Sequence, residues 1–97
     1  MLMHVPTSIT KSQKNRVNKR RHGLTFETAQ IVFSDPLSLS RRDPYPLEKR
    51  WQTMGMIGSV VVFVVHTWPE ADDGVGRIIS ARKATTQERK AYEDGDF

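Results

Sequence analysis

Cysteine is absent from this 97-residue sequence, which excludes a disulfide framework and a thiolate metal site. The three histidines, His4, His22 and His66, lack the spacing of a metal-ligand set, so no metal or other cofactor is expected. Long apolar runs are lacking as well. The longest, Val60 to Val65, falls far short of the roughly 20 residues that span a bilayer. No N-terminal stretch carries the apolar core of a signal peptide, so a cytoplasmic protein without membrane contact is expected. With 27% charged and 37% hydrophobic residues, the chain has the composition of one small soluble domain, residues 1–97, with a thin core.

Acids are missing from one stretch in particular. Lys11, Lys14, Arg16, Lys19, Arg20 and Arg21 fall within eleven residues that contain no Asp or Glu, in a chain of net charge +4. Such a run suits nucleic-acid phosphates, with salt-sensitive affinity. It equally suits a solvated helix face or an acidic protein partner.

What is present reads as α+β. Thr10 or Ser12 caps a first helix that runs to about His22, with Gly23 as its left-handed stop and Val17 as its clear apolar anchor. Thr25 caps a second helix from Phe26 to about Phe33, and Asp35-Pro36 ends it. Leu37 to Arg42, Arg50 to Met56, Val60 to Thr67 and Arg77 to Arg82 then form an antiparallel β-meander of three to four strands. Its turns lie at Gly58-Ser59 and Asp72-Asp73-Gly74. Val60 to Thr67 lacks alternation, which predicts a central strand covered on both faces. The core is expected from Leu24, Phe26, Phe33, Leu39, Trp51, Val61, Phe63, Val65, Ile79 and Tyr92, subject to local reversal by a bulge.

The C-terminal part of the sequence carries the run RIISARKATTQERKAY, Arg77 to Tyr92. Thr85 and Glu88 have the spacing of a capping box, and they predict a helix from about Thr86 to Asp94. A strand thus delivers Arg82 and Lys83 to a helix start, an arrangement that suits phosphate. The same residues also describe an ordinary capped surface helix.

Three ordered segments, NKRRHGLTFETAQIVFSDPLSL, EKRWQTMG and RIISARKATTQERKAY, resemble the BrnT family of bacterial type II toxins. The resemblance covers Lys14 to Tyr92. It rests on the runs His22–Glu27, Glu48–Gly55 and Arg77–Thr85. It implies a RelE-like fold and an endoribonuclease that inhibits translation. It further implies a BrnA-type antitoxin that neutralises the toxin, and repression of the operon by the complex, with operator DNA met only through the antitoxin. The family pattern opens with an aromatic-rich strand ending in Trp-Asp. Here Thr10-Lys11 stands in that place, so residues 1–9 are expected to be irregular or a weak edge strand.

For a ribonuclease of this kind without a metal, the chemistry is attack of a ribose 2′-hydroxyl on the adjacent phosphate. Arg50, Arg77 and Arg82 are the strand-borne phosphate ligands, because arginine is planar, charged and bidentate. Ideal alternation puts Arg77 and Arg82 on opposite faces unless a bulge intervenes, and Arg82 with Lys83 is the preferred pair. His22 or His66 can transfer protons; otherwise His22 caps a helix and His66 is a polar strand-end residue. Glu27 and Glu48 are alternative bases or guanidinium orienters, and Tyr92 and Lys83 are further candidates. The expected catalytic set is therefore Arg82, Lys83, Arg50, His22, Glu48 and Tyr92. Lys14, Lys19, Arg21, Arg77 and His66 are the expected RNA contacts. Trp51 is either a base-stacking or a core residue. A non-catalytic module that binds the antitoxin and modulates its DNA binding is the competing reading, followed by a free-standing basic RNA-binding domain.

Overall fold

β-Branched residues crowd Val60 to Val65, and they form the middle of a four-stranded sheet. A computed structural model describes residues 9–68 and 76–97, the side chains of 9–14 and 21 excepted. The strands are β1 (Leu39–Arg42), β2 (Trp51–Ile57), β3 (Val60–His66) and β4 (Ile78–Lys83), antiparallel and adjacent in chain order. Gly58, at φ +61°, supplies the left-handed conformation of the two-residue turn between β2 and β3. The expected Asp72-Asp73-Gly74 turn and any structure in residues 1–8 lie outside the described residues.

Both faces of β3 are covered, as its lack of alternation predicts. Val62 and Val64, with Ile78 and Ala81, pack beneath Phe26, Ala29 and Val32. Val61 and Phe63, with Met54, pack beneath Tyr92. The first face belongs to α1 (Ile9–His22), α2 (Phe26–Ala29) and a 3-10 turn at Gln30–Ser34; the second belongs to α3 (Thr86–Asp94). Among the described residues no helix is long and apolar enough to cross a membrane.

Local signals set most boundaries. Thr25 Oγ1 accepts from Thr28 N at the start of α2, and α1 stops at Gly23, φ +73°. The α3 capping box forms in both directions, with Thr85 Oγ1 accepting from Glu88 N and Glu88 Oε1 accepting from Thr85 N. The second helix is not α-helical to Phe33: it tightens after Ala29. There the 3-10 turn presses on β2, and a Cβ added at Gly55 would lie 2.7 Å from the Val32 carbonyl oxygen. β1 starts at Leu39 rather than Leu37 because Asp35 folds the intervening residues into a turn. Its backbone oxygen accepts from Ser38 N and its Oδ1 from Leu37 N, leaving Leu37 exposed.

Of the expected core, Leu39 and Trp51 are only half-buried and lie outside both clusters, and two further expectations need correction. Val17 is 49% exposed and does not anchor α1. Asparagines hold the helix instead. Asn18, buried, donates from Nδ2 to the Ala81 and Leu24 carbonyls while its Oδ1 accepts from Ala81 N. Asn15 Oδ1 accepts from Phe26 N. Asn18 thereby pairs with the outer edge of β4 as a neighbouring strand would. The second correction is Ile79. Val65 pairs with Ser80 but His66 with Ile78, so Ile79 is an extra residue, and Ile78 is the one that enters the core.

Candidate functional site

That same bulge changes which side chains share a face. Register places Leu39, Met54, Phe63 and Arg82 in one row and Arg41, Gln52, Val65 and Ser80 in the next. Beyond the bulge the alternation is reversed, so Arg77, whose backbone pairs with Thr67, joins this face. Arg77 and Arg82 therefore lie on one face, not opposite ones. Tyr92 and its neighbours cover the end of the face nearest Phe63. The other end stays open and carries Arg50, Gln52 and Arg77.

Glu48 organises that open corner. Its Oε1 accepts from Arg50 Nε at 2.9 Å and from Arg77 Nη2 at 2.7 Å, and its Oε2 accepts from Arg77 Nη2 at 2.9 Å. Arg50 also lies over the Tyr45 ring, 3.7 Å from its centroid. The Arg77 hydrogen bond, reinforced by Arg50, holds the Glu48 carboxyl below its usual range despite partial desolvation. Two guanidinium groups thus share one carboxylate at the edge of solvent, and each keeps N–H groups free of it.

Arg82 sits at the far end, four residues of β3 away, or about 13 Å. Its two terminal nitrogens meet both Glu88 oxygens at 2.7 and 3.0 Å, and its guanidinium covers Phe63 at 4.3 Å. The bidentate pair lowers the Glu88 pKa and raises that of Arg82. With both terminal nitrogens on Glu88, this group forms an ion pair separate from the Glu48 corner.

The remaining predicted residues do not converge on either end. Lys83, adjacent to Arg82 on β4, projects to the other face by simple alternation, so the preferred pair is divided. His22 ends α1 beside Leu24, which packs into the helix-covered core. Glu27, also on that side, accepts from Asn15 Nδ2 with both oxygens. Tyr92 is buried and donates from its hydroxyl to Asp35 Oδ2, which also accepts from Met56 N. This bond pushes the Tyr92 pKa up to about 12, which makes the phenol a clasp rather than a proton donor near neutrality.

His66 is corrected outright as an RNA contact. It is fully buried on the helix-covered face, edge-on to Phe33 and Trp68. A carbonyl only accepts, so Nδ1 donates to the Thr67 oxygen at 3.2 Å and Nε2 accepts from the Thr53 hydroxyl at 2.6 Å. Thr53 in turn meets Ser40 Oγ at 2.7 Å. Burial pushes the His66 pKa down to about 4. Of the expected basic-run contacts, Lys19 is exposed on α1 together with Arg16 and Arg20, while the side chains of Lys14 and Arg21 lie outside the described residues. Trp51 is half-buried beside Arg42, whose Cζ lies 5.6 Å from the ring centroid.

Sequence reading missed Arg41 and Gln52. Arg41 Nε donates to Gln52 Oε1, and Gln52 Nε2 donates to Asp43 Oδ1, both at 2.7 Å. The signal lay in strand pairing, because the register sets Arg41 opposite Gln52 on the open face. Among the described residues no group of three His, Cys, Asp or Glu side chains has a metal-holding arrangement.

The family model for "Ribonuclease toxin, BrnT, of type II toxin-antitoxin system" matches residues 11–88. No curated protein matches the chain.

Proposed function

The chain belongs to the BrnT family of ribonuclease toxins of type II toxin–antitoxin systems, and we propose that it is a metal-independent endoribonuclease acting on the open face of its sheet. The observation that carries this reading is the corner where Glu48 joins Arg50 and Arg77. In this account the protein is a single RelE-like domain of the cytoplasm. It cuts RNA and stops translation until a BrnA-type antitoxin covers it, and the complex represses the operon through the antitoxin's contact with operator DNA.

The residues divide the work by charge and position. Arg50 and Arg77 receive the scissile phosphate through the N–H groups not used by Glu48, and they stabilise charge as the phosphorane forms. Displaced from one guanidinium, Glu48 takes the 2′-hydroxyl proton; its low pKa keeps it ionised at neutral pH. Such a base is weak, so most of the acceleration comes from positioning and charge. The leaving 5′-oxygen is protonated from solvent. Arg82 acts at the far end, on a neighbouring nucleotide. Lys19, with Lys14 and Arg21 of the same helix and Lys83, draws the flanking RNA by its phosphates.

Attack by the 2′-hydroxyl has a fixed product signature. Cleavage is expected to leave a 2′,3′-cyclic phosphate and a 5′-hydroxyl, and a single 2′-deoxy substitution at the cut nucleotide should abolish it. End analysis of a labelled oligonucleotide checks both. Products with 5′-phosphates, or cleavage that survives the deoxy substitution, would contradict the mechanism. One observation favours the non-catalytic antitoxin-binding reading: Arg50, Arg77 and Arg82 all have glutamate partners. Intact RNA with and without ribosomes, together with retained antitoxin binding, would establish that alternative.

A further inference from the structure

We infer that Arg41, which neither the sequence motifs nor the mechanism above uses, is an RNA phosphate anchor of the open face, and that Gln52 is its positioning residue. The inference rests on the ribonuclease reading and adds a binding contact to it.

The cations of this face are unequal. Arg50, Arg77 and Arg82 have carboxylate partners, whereas among the described residues Arg41 makes no ion pair. Among the described residues its side-chain hydrogen bond runs from Nε to the neutral Gln52 amide oxygen. The terminal nitrogens therefore present a fork with no carboxylate at ion-pair distance among the described residues, the geometry that phosphate accepts bidentately.

An exposed arginine is ordinarily mobile, but this one is held on two sides. Gln52 fixes Nε and is itself fixed by Asp43. Phe97 lies beneath the guanidinium, 4.1 Å from Cζ to ring centroid. Phe97 in turn packs edge-on against Phe63, which carries Arg82. Less side-chain entropy is then lost on binding. Position agrees with this role: the Arg41 row lies between the row of Arg82 and the corner of Arg50 and Arg77. Laterally it stands on β1, at the opposite edge of the sheet from Arg82 on β4, so an RNA strand that contacts both crosses the open face. Glu88 and Asp96 line the recess between Arg41 and α3 and disfavour an anion inside it, so the phosphate is taken on the outer rim.

The test is titration of the full chain with a labelled single-stranded RNA whose 2′-O-methyl riboses prevent cleavage, at several salt concentrations. Arg41→Gln is expected to weaken binding about tenfold and to reduce the slope of log affinity against log salt by about 0.7. Arg41→Lys should recover the slope but not the full affinity. Gln52→Leu should weaken binding about threefold with the slope unchanged, because the charge stays and only its orientation is lost. Wild-type affinity and slope in Arg41→Gln would overturn the inference, including the case in which that variant loses an acidic protein partner instead. If wild-type protein cleaves RNA while Arg41→Gln binds normally, only this inference falls. If wild-type protein neither binds nor cleaves RNA, the ribonuclease reading falls with it.

Discussion

Asn18→Asp is expected to lower the melting temperature by about 15 °C or more, with lost helix signal. The native Nδ2 donates to two carbonyl oxygens, those of Ala81 and Leu24, both at 2.9 Å. The substitution points a carboxylate oxygen at them, in a position only 5% exposed. An uncompensated buried charge costs about 3–5 kcal/mol. A domain of this size loses roughly 4–8 °C for each kcal/mol, out of a total stability of about 5–15 kcal/mol. Asn18→Leu, which removes the same bonds without adding charge, should be less damaging. Acidification should partly rescue the Asp variant, because a protonated carboxyl regains a donor. Thermal melts at two pH values check the order. A variant as stable as wild type would mean that Asn18 does not fasten α1 to β4.

Acid is expected to destabilise the fold through His66 in a window above that of the carboxylates. The folded state holds a neutral imidazole with a pKa near 4, against 6.5 as the ordinary value. Between those values the unfolded chain binds more protons, so stability is fully present above pH 6.5 and falls as pH drops toward 4. The loss reaches about 3 kcal/mol. Asp35, Glu48 and Glu88 have depressed pKa values, so their contributions are present above ordinary carboxylate values and are lost only at lower pH. Denaturant unfolding at pH 7 and pH 5 should therefore show a drop in wild type that is largely absent in His66→Gln. An equal drop in both would assign the effect to other groups.

Elements were legible where one residue decides one boundary. Gly23, Thr25 and the Thr85–Glu88 capping box act locally, and each is visible in the chain. The covered central strand was legible too, because a valine run without alternation has no solvent face. The candidate site was legible only in its residue types. Arg50, Arg77, Arg82 and Glu48 stand out as charges near strands, but their grouping depends on pairing across the sheet. A single extra residue at Ile79 reverses the alternation, brings Arg77 onto the face of Arg82, and puts Ile78 in the core. Nothing in RIIS marks that residue. Lys83 and Arg82 looked like a pair because they are adjacent, yet adjacency in a strand separates them. Asn18 and Asn15 carry no signal in the sequence, since their partners Ala81 and Phe26 are distant in sequence or outside the helix. His66 was ambiguous for the same reason: Phe33 and Trp68, which bury it, are brought in by other segments.

On the function proposed above, the Glu48–Arg50–Arg77 corner cleaves RNA by charge and position. Its most direct test is the initial rate of single-stranded RNA cleavage in EDTA by wild-type protein and by the Arg50→Gln/Arg77→Gln double variant, with melting temperatures as the folding control. Wild-type protein should cleave in EDTA. The double variant should remain folded and be slower by at least about 100-fold, the loss typical of removing a group that stabilises transition-state charge. A folded double variant that cleaves at the wild-type rate would contradict the account.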